Sequence, residues 1–171
     1  MKRAEQRRIL HSWLDQHRGL IFKVVRAYTR NQQDSEDLFQ EIAVQLWQSI
    51  PAFKGACAET TWIYRVAFFV ASKWSRKEGQ RRESPEEDPT EGRFLTPRPA
   101  SEDPRVAWLY EQIGKLKEID RSLLLLQLEG HSYAEIGDIL GLKESAVGAR
   151  LSRLKQSLTK NYSKEPHHGL Q

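Results

Sequence analysis

The sequence predicts an all-α protein, built as two small helical domains joined by an acidic, proline-rich linker. Three observations carry that prediction. Apolar residues recur at helical spacing in both halves of the 171-residue chain. No segment alternates apolar and polar residues long enough to suggest a sheet. Five of the seven prolines fall between Pro85 and Pro104, in a stretch that also holds Glu86, Glu87, Asp88, Glu91 and Glu102 and has no apolar period. That composition suits an extended connection better than a packed element. It divides the chain into a domain near 8–79, a linker over 80–104, a domain near 105–162 and a polar tail over 163–171.

A first helix fits Leu10 to Tyr28. Leu38, Ile42 and Leu46, with Phe39, Ala43, Trp47 and Ile50, then form a wide apolar stripe at helical spacing. Asp34 or Ser35 is placed to cap that helix, and the acidic residues behind it favour its positive end. Pro51 stops it. A short loop, Phe53-Lys54-Gly55-Ala56-Cys57-Ala58-Glu59-Thr60, leads to a third helix. Thr60 or Thr61 is its expected cap, and Gly79 its expected end.

In the second domain, Val106, Leu109, Tyr110, Ile113 and Leu116 form one stripe, and Leu123 to Leu128 supply the centre of a small core. Ser132-Tyr133-Ala134-Glu135 is a capping-box pattern that opens another helix, which Gly141 breaks. A last helix begins near Glu144 and runs to about Lys160. The segment from Tyr133 to Val147 meets the demands of a helix-turn-helix. Gly137 supplies the tiny residue for a close approach, Gly141 tolerates positive φ, and Ile136, Leu140, Leu142, Val147 and Leu151 are the apolar anchors. A plain helical hairpin is the alternative that this pattern leaves open.

Composition and charge narrow the function. The longest nearly apolar stretch, Val66 to Ala71, is far too short to cross a bilayer. The basic amino terminus leads into no apolar signal core, so a cytoplasmic location without membrane insertion is expected. The single cysteine, Cys57, excludes an intrachain disulfide, and no Cys/His set has metal-site spacing. No nucleophile–base arrangement, paired-carboxylate metal site or phosphate-cradling loop is evident. Neither catalytic residues nor a metal or cofactor is expected, and the chain reads as a binding protein. The net charge of +4 is spread unevenly: residues 1–80 carry +5, residues 81–104 carry −3 and residues 105–171 carry +2. Within 143–164 there are six basic side chains and one acidic. Two basic lobes around an acidic connector suit a polyanion contacted at two places, or else two ordinary solvated surfaces.

Two helix faces are candidate nucleic-acid contacts. In the last helix, Val147, Leu151, Leu154 and Leu158 point inward. Ser145, Ala149, Ser152, Arg153 and Gln156 then point outward, with Gly148 and Arg150 on the flanks. Small residues let a helix sit deep in a major groove, and arginine reaches guanine edges or phosphates. In the third helix the inward stripe is Ile63, Val66, Ala67, Val70, Ala71 and Trp74. That places Phe68 near the opposite side, with Phe69, Arg65, Lys73 and Arg76 around it. Aromatics among cations fit unpaired DNA, which is stacked by the rings and held by the charges. Packing of both phenylalanines under another helix fits the pattern equally well.

The order of these parts resembles that of bacterial RNA polymerase sigma factors of the sigma-70 family. Asp34-Ser35-Glu36-Asp37-Leu38-Phe39-Gln40-Glu41 resembles the acidic helix of sigma region 2, which in the family binds core polymerase. Phe53 to Thr60, and then Thr61-Trp62-Ile63-Tyr64-Arg65-Val66-Ala67, resembles the segment that melts and reads the −10 element. Leu128-Glu129-Gly130-His131-Ser132-Tyr133-Ala134-Glu135-Ile136 and the helix-turn-helix after it resemble region 4, which reads the −35 element. A short acidic linker in place of region 3 marks the extracytoplasmic-function (ECF) group.

The resemblance implies core RNA polymerase and promoter DNA as partners, with an anti-sigma factor as a further one. It implies core-polymerase binding by Glu36, Asp37, Gln40 and Glu41. It implies −10 contacts by Phe53, Lys54, Gly55, Ala56, Arg65, Phe68, Phe69, Lys73 and Arg76. It implies −35 contacts by Ser145, Gly148, Ala149, Arg150, Ser152 and Arg153. The chain departs from the family at Phe68-Phe69, where Arg-Asn is common, at Lys117, where proline is frequent, at Ala146, usually threonine, and at Gly148, usually basic. A stand-alone helix-turn-helix regulator is the alternative. It would account for 105–162 but leave the acidic helix and the melting segment unused.

Overall fold

The computed structural model describes residues 2–82 and 103–164. The central part of the expected linker and most of the expected tail lie outside the described residues. Seven α-helices and no strand are present among the described residues: α1 Arg3–Tyr28, α2 Gln32–Ser49, α3 Glu59–Arg82, α4 Pro104–Lys115, α5 Glu118–Leu128, α6 Tyr133–Leu140 and α7 Glu144–Tyr162. A 3-10 turn, Ile50–Ala52, comes directly after α2. Two compact units result, divided between Gly114 and Lys115. By contact α4 counts with the first unit, although the sequence pattern groups it with the helices beyond it.

In the first unit α1, α2 and α3 pack on one another pairwise. Trp13, Ile21, Val24, Leu38, Ile42, Leu46 and Ile63 are fully buried there. Each large apolar side chain removed from water contributes about 1.5–3 kcal/mol, set against the entropy of ordering the chain. The helix bounds differ from the sequence expectation in three places. α1 starts at Arg3 and not at Leu10, because Gln6 Nε2 donates to the Trp47 carbonyl at 2.7 Å and ties the first turns of α1 to the end of α2. The cap of α2 is Asn31 and not Asp34 or Ser35, since its side chain accepts from the Asp34 N–H at 2.8 Å. α3 opens at Glu59 and continues past Gly79 to Arg82. Glycine ends a helix readily when it turns left-handed, and Gly79 is not among the glycines with positive φ.

In the second unit α5, α6 and α7 pack together. Leu123, Leu126, Ile136, Val147 and Leu151 form the centre of its core. The leucine run of α5 is buried only as far as Leu126, and Leu128 is 50% exposed at the end of the helix. Gly130, at φ 84°, turns the chain there, and the N–H of His131 returns to the Leu126 carbonyl.

Between α6 and α7 the turn is Gly141-Leu142-Lys143. Ser132 and Glu135 complete the capping box at the start of α6, and Gly141 takes the left-handed conformation at its end, φ 70°. The N–H groups of Gly141 and Leu142 both donate to the Gly137 carbonyl. The close approach at Gly137 is made by the turn itself: a Cβ there would stand 2.6 Å from the Leu142 carbonyl oxygen. A side chain at 137 would push this turn away from α6.

Candidate nucleic-acid and partner interfaces

α2 presents an acidic and polar face outward. Leu38, Ile42 and Leu46 are fully buried on one side. Glu36, Asp37, Gln40 and Glu41 are all exposed on the other, as the wheel requires. Gln32 Nε2 donates to Glu36 Oε1 at 2.9 Å and steadies the first turn. Val44, 55% exposed, lies on the same face at i+3 from Glu41 and i+7 from Asp37. Sequence reasoning missed it, although its helical spacing from Asp37 and Glu41 was a usable signal. An apolar residue amid acids offers a partner helix both burial and charge pairing.

The loop before α3 is anchored by Phe53. Its ring meets Trp13 edge-on, with centroids 5.3 Å apart, and tilts against Trp62 at 5.5 Å. Trp62 in turn donates from Nε1 to the Ser49 hydroxyl at 3.0 Å. The two tryptophans thus hold Phe53, which is half-buried, and with it the loop. Lys54, Gly55 and Ala56 are exposed beyond it. Gly55 has φ 71° with nothing within 4 Å of a built Cβ, so the loop turns sharply in open space.

On α3 the two phenylalanines part company. Phe68 is only 4% exposed, and its ring stacks on Tyr64 with centroids 5.7 Å apart. The expectation that Phe68 faces DNA is thereby corrected. α3 packs on both α1 and α2, so it buries more of its circumference than a single stripe. Phe69 is 57% exposed, and Lys73 Nζ lies 5.5 Å from its ring centroid. Arg65, Lys73 and Arg76 are exposed along the same helix. Gln45, Trp62, Arg65, Val66 and Phe69 line a shallow groove of about 260 Å³ between α2 and α3. The structure thus brings one exposed ring, three cations and an apolar groove onto one surface.

On α7, Val147, Leu151 and Leu154 are buried. Ser145, Ala149, Ser152 and Arg153 are exposed, as expected for a recognition face. Arg150, on the flank of that face, keeps its side chain 39% exposed. Its Nη1 pairs with Asp120 Oδ1 of α5 at 3.0 Å. The pair braces α7 against α5, with a partner 30 residues upstream that no local pattern reveals. At the entry to α6, the Ser132 N–H and hydroxyl both bond the Glu135 carboxylate at 2.8 Å. The Ser132 N–H, then its hydroxyl, hold the Glu135 carboxyl below its ordinary value. Among the described residues no group of His, Cys, Asp and Glu side chains is arranged to hold a metal, and no helix is long and apolar enough to cross a membrane.

Known proteins share both the sequence pattern and the fold. The Sigma-70 region 2 family model matches residues 13–81 and the Sigma-70 region 4 model matches residues 107–158, together well over half the chain. The ECF RNA polymerase sigma factor SigE of Mycolicibacterium smegmatis is 30% identical over 148 residues, covering 84% of this chain and 57% of that protein. RNA polymerase sigma factor YlaC of Bacillus subtilis is 28% identical over 141 residues, covering 80% of this chain and 82% of that protein. The chain thus spans little more than half the length of the mycobacterial relative and most of the Bacillus one. Among solved structures, CnrH in complex with the cytosolic domain of CnrY has a TM-score of 0.69 at 18% identity, covering 96% of each chain. The sigma factor RpoE in complex with the anti-sigma factor NepR from Bartonella quintana has a TM-score of 0.66 at 16% identity, covering 91% of this chain and 98% of that one. With region 2 and region 4 in order, and with ECF relatives spanning both, this chain belongs to the ECF group of the sigma-70 family.

Proposed function

We propose that this protein is a promoter-specificity subunit of RNA polymerase: it binds core polymerase through α2, engages the −10 element through the 53–60 loop and α3, and reads the −35 element through α7. The observation that carries the reading is the outward face of α2. A helix whose apolar side is fully buried leaves Glu36, Asp37, Gln40, Glu41 and Val44 displayed together, in the same chain as a basic recognition helix. A DNA-binding regulator acting alone has no use for that face.

In this reading Lys54, Gly55 and Ala56 leave room for an extruded base, Phe69 stacks, and Arg65, Lys73 and Arg76 hold the strand. Ser145, Ala149, Ser152 and Arg153 enter the major groove. The protein works in the cytoplasm by binding, without chemistry or a cofactor of its own. Its two domains and the connection between them let both promoter elements be reached at once. An anti-sigma factor is part of the reading, because two solved structures of this fold are complexes, one of them with an anti-sigma factor.

The test is association with core polymerase. Charge reversal at Asp37 and Glu41, both exposed, leaves the helical fold intact and is expected to weaken co-purification with core at least about tenfold, equivalent to roughly 1.4 kcal/mol. Co-purification of the double variant as efficient as that of wild type would remove α2 from the interface.

A further inference from the structure

The first turns of α1 hold a cluster of charge that none of the contacts above uses. Residues 2–8 contain four basic side chains, Lys2, Arg3, Arg7 and Arg8, and one acidic, Glu5. All five are exposed, and among the described residues no carboxylate pairs with any of the four cations. This is an unfavourable way to begin a helix. Cations oppose the positive end of the helix dipole, and Arg3 and Arg7, like charges four residues apart, repel each other. Lys2 stands at the N-cap without a side-chain hydrogen bond. The turns form all the same, tied down by the bond from Gln6 to the Trp47 carbonyl. Their position gives the cluster a use. α1 runs antiparallel to α2, since Gln6 meets Trp47 and the Phe22 ring stacks on Phe39. α3 starts beside the end of α2, where Trp62 bonds Ser49, and packs back along it. Trp13 meets Phe53, and Phe53 meets Trp62, so Trp13 is level with the start of α3. Residues 3–9 of α1, about 10 Å of helix, therefore extend past that start, at the end of the bundle that carries the 53–60 loop. Arg76, Lys73, Arg65 and Lys54 are exposed in that order along α3 and into the loop, and Arg3, Arg7 and Arg8 continue the series of cations beyond it.

We propose that the start of α1 is a further anchor for the promoter strand: Arg3, Arg7 and Arg8 hold phosphates of the single strand just downstream of the −10 element, where it leaves the 53–60 loop. The proposal rests on the reading of that loop and α3 as the −10 contact. The downstream side follows from chain order, because the opposite end of α3 leads on to the helices that read the −35 element. Residues 2–9 offer cations and no aromatic ring, so they fit a phosphate backbone of any sequence and not a stacked base. An acidic segment of a partner protein is the competing occupant. The DNA strand is favoured by the continuity of the cluster with Lys54 and Arg65.

The experiment uses holoenzyme reconstituted from core polymerase and the full chain. Two probes are made from a promoter at which the holoenzyme initiates, each a duplex through the −35 element with the −10 element as a single strand. In the long probe that strand continues downstream, and in the short one it stops at the last −10 base. Binding is titrated at several salt concentrations. The triple variant Arg3→Gln, Arg7→Gln, Arg8→Gln exchanges exposed side chains for another good helix former, so α1 is kept. On the long probe it is expected to bind more weakly, with a salt slope shallower by about 2, from three contacts at about 0.7 each on a single strand. On the short probe affinity and slope stay at wild type. Lys73→Gln separates the two layers, since it touches α3 alone and should weaken binding to both probes. If it does so while the triple variant binds the long probe as wild type does, the α1 contact is wrong and the −10 reading stands. If neither variant changes binding to either probe, the −10 reading fails and the proposal with it. An equal loss on both probes, or weaker association of the triple variant with core polymerase at an unchanged salt slope, gives the cluster to another partner and also overturns the proposal.

Discussion

Replacing Gly137 with alanine is expected to loosen the helix-turn-helix, although the same change at an open helical position stabilises. Inside a helix, alanine is favoured over glycine by about 1 kcal/mol. At Gly137 the new Cβ would stand 2.6 Å from the Leu142 carbonyl oxygen, whereas carbon–oxygen contacts settle near 3.3–3.6 Å. The obstacle is backbone, and Gly141 and Leu142 both bond the Gly137 carbonyl, so the turn cannot swing aside without losing those bonds. Overpacking of this kind costs about 1–3 kcal/mol, which offsets the helical gain and leaves a net loss of up to ~2 kcal/mol. Gly19, in the middle of α1, has nothing within 4 Å of a built Cβ, so Gly19→Ala is expected to gain up to about 1 kcal/mol. Amide exchange resolved by segment is the suitable assay, because it reports each unit separately without assuming two-state unfolding. Gly137→Ala should speed exchange in α6 and α7 and leave α1–α3 unchanged, while Gly19→Ala should slow it in α1. Slower exchange in α6 and α7 after Gly137→Ala would refute the close approach at the turn.

The site geometry leads to three further outcomes. Phe69→Ala should leave stability near wild type and weaken binding to single-stranded −10 DNA by about 1–3 kcal/mol per stacked base, whereas Phe68→Ala should cost about 3–5 kcal/mol of stability; fluorescence-monitored denaturation and strand-binding titrations distinguish the two. A double-mutant cycle on Asp120 and Arg150 should give a coupling of about 0.2–1 kcal/mol in stability and no change in the salt slope of DNA binding, since this pair is half-exposed and internal. The capping box should persist well into acid. With the Glu135 carboxyl held below its ordinary value, its contribution is present above the usual glutamate range and is lost only as pH falls through the lowered value. Helix content of α6 followed by NMR against pH checks this, and Ser132→Ala should move the loss to higher pH.

Much of the fold was legible because it is local. The periodic stripe Leu38, Ile42, Leu46 placed α2 and, by subtraction, its acidic face. Ser132 with Glu135, and Gly141 after Leu140, marked α6 by capping chemistry that needs only neighbouring residues. What escaped depends on partners distant in sequence. Gln6 lengthens α1 by reaching Trp47, Arg150 is tied to Asp120, and Phe53 packs edge-on against Trp13. Phe68 lies off the inward stripe, yet α3 has helices on more than one side. The Tyr133 ring of α6 lies 3.4 Å from a Cβ built on Gly148 of α7, a contact between two helices that the sequence alone does not show.

The most direct test of promoter specificity is transcription in vitro from genomic DNA fragments, with purified core polymerase in the presence and absence of this protein. New start sites are expected only when both are present, each preceded by shared −10 and −35 elements at constant spacing, and the Asp37/Glu41 charge-reversal variant should abolish them. DNA binding by the protein alone, with no new start sites when core is supplied, would contradict the account and leave a stand-alone helix-turn-helix regulator in its place.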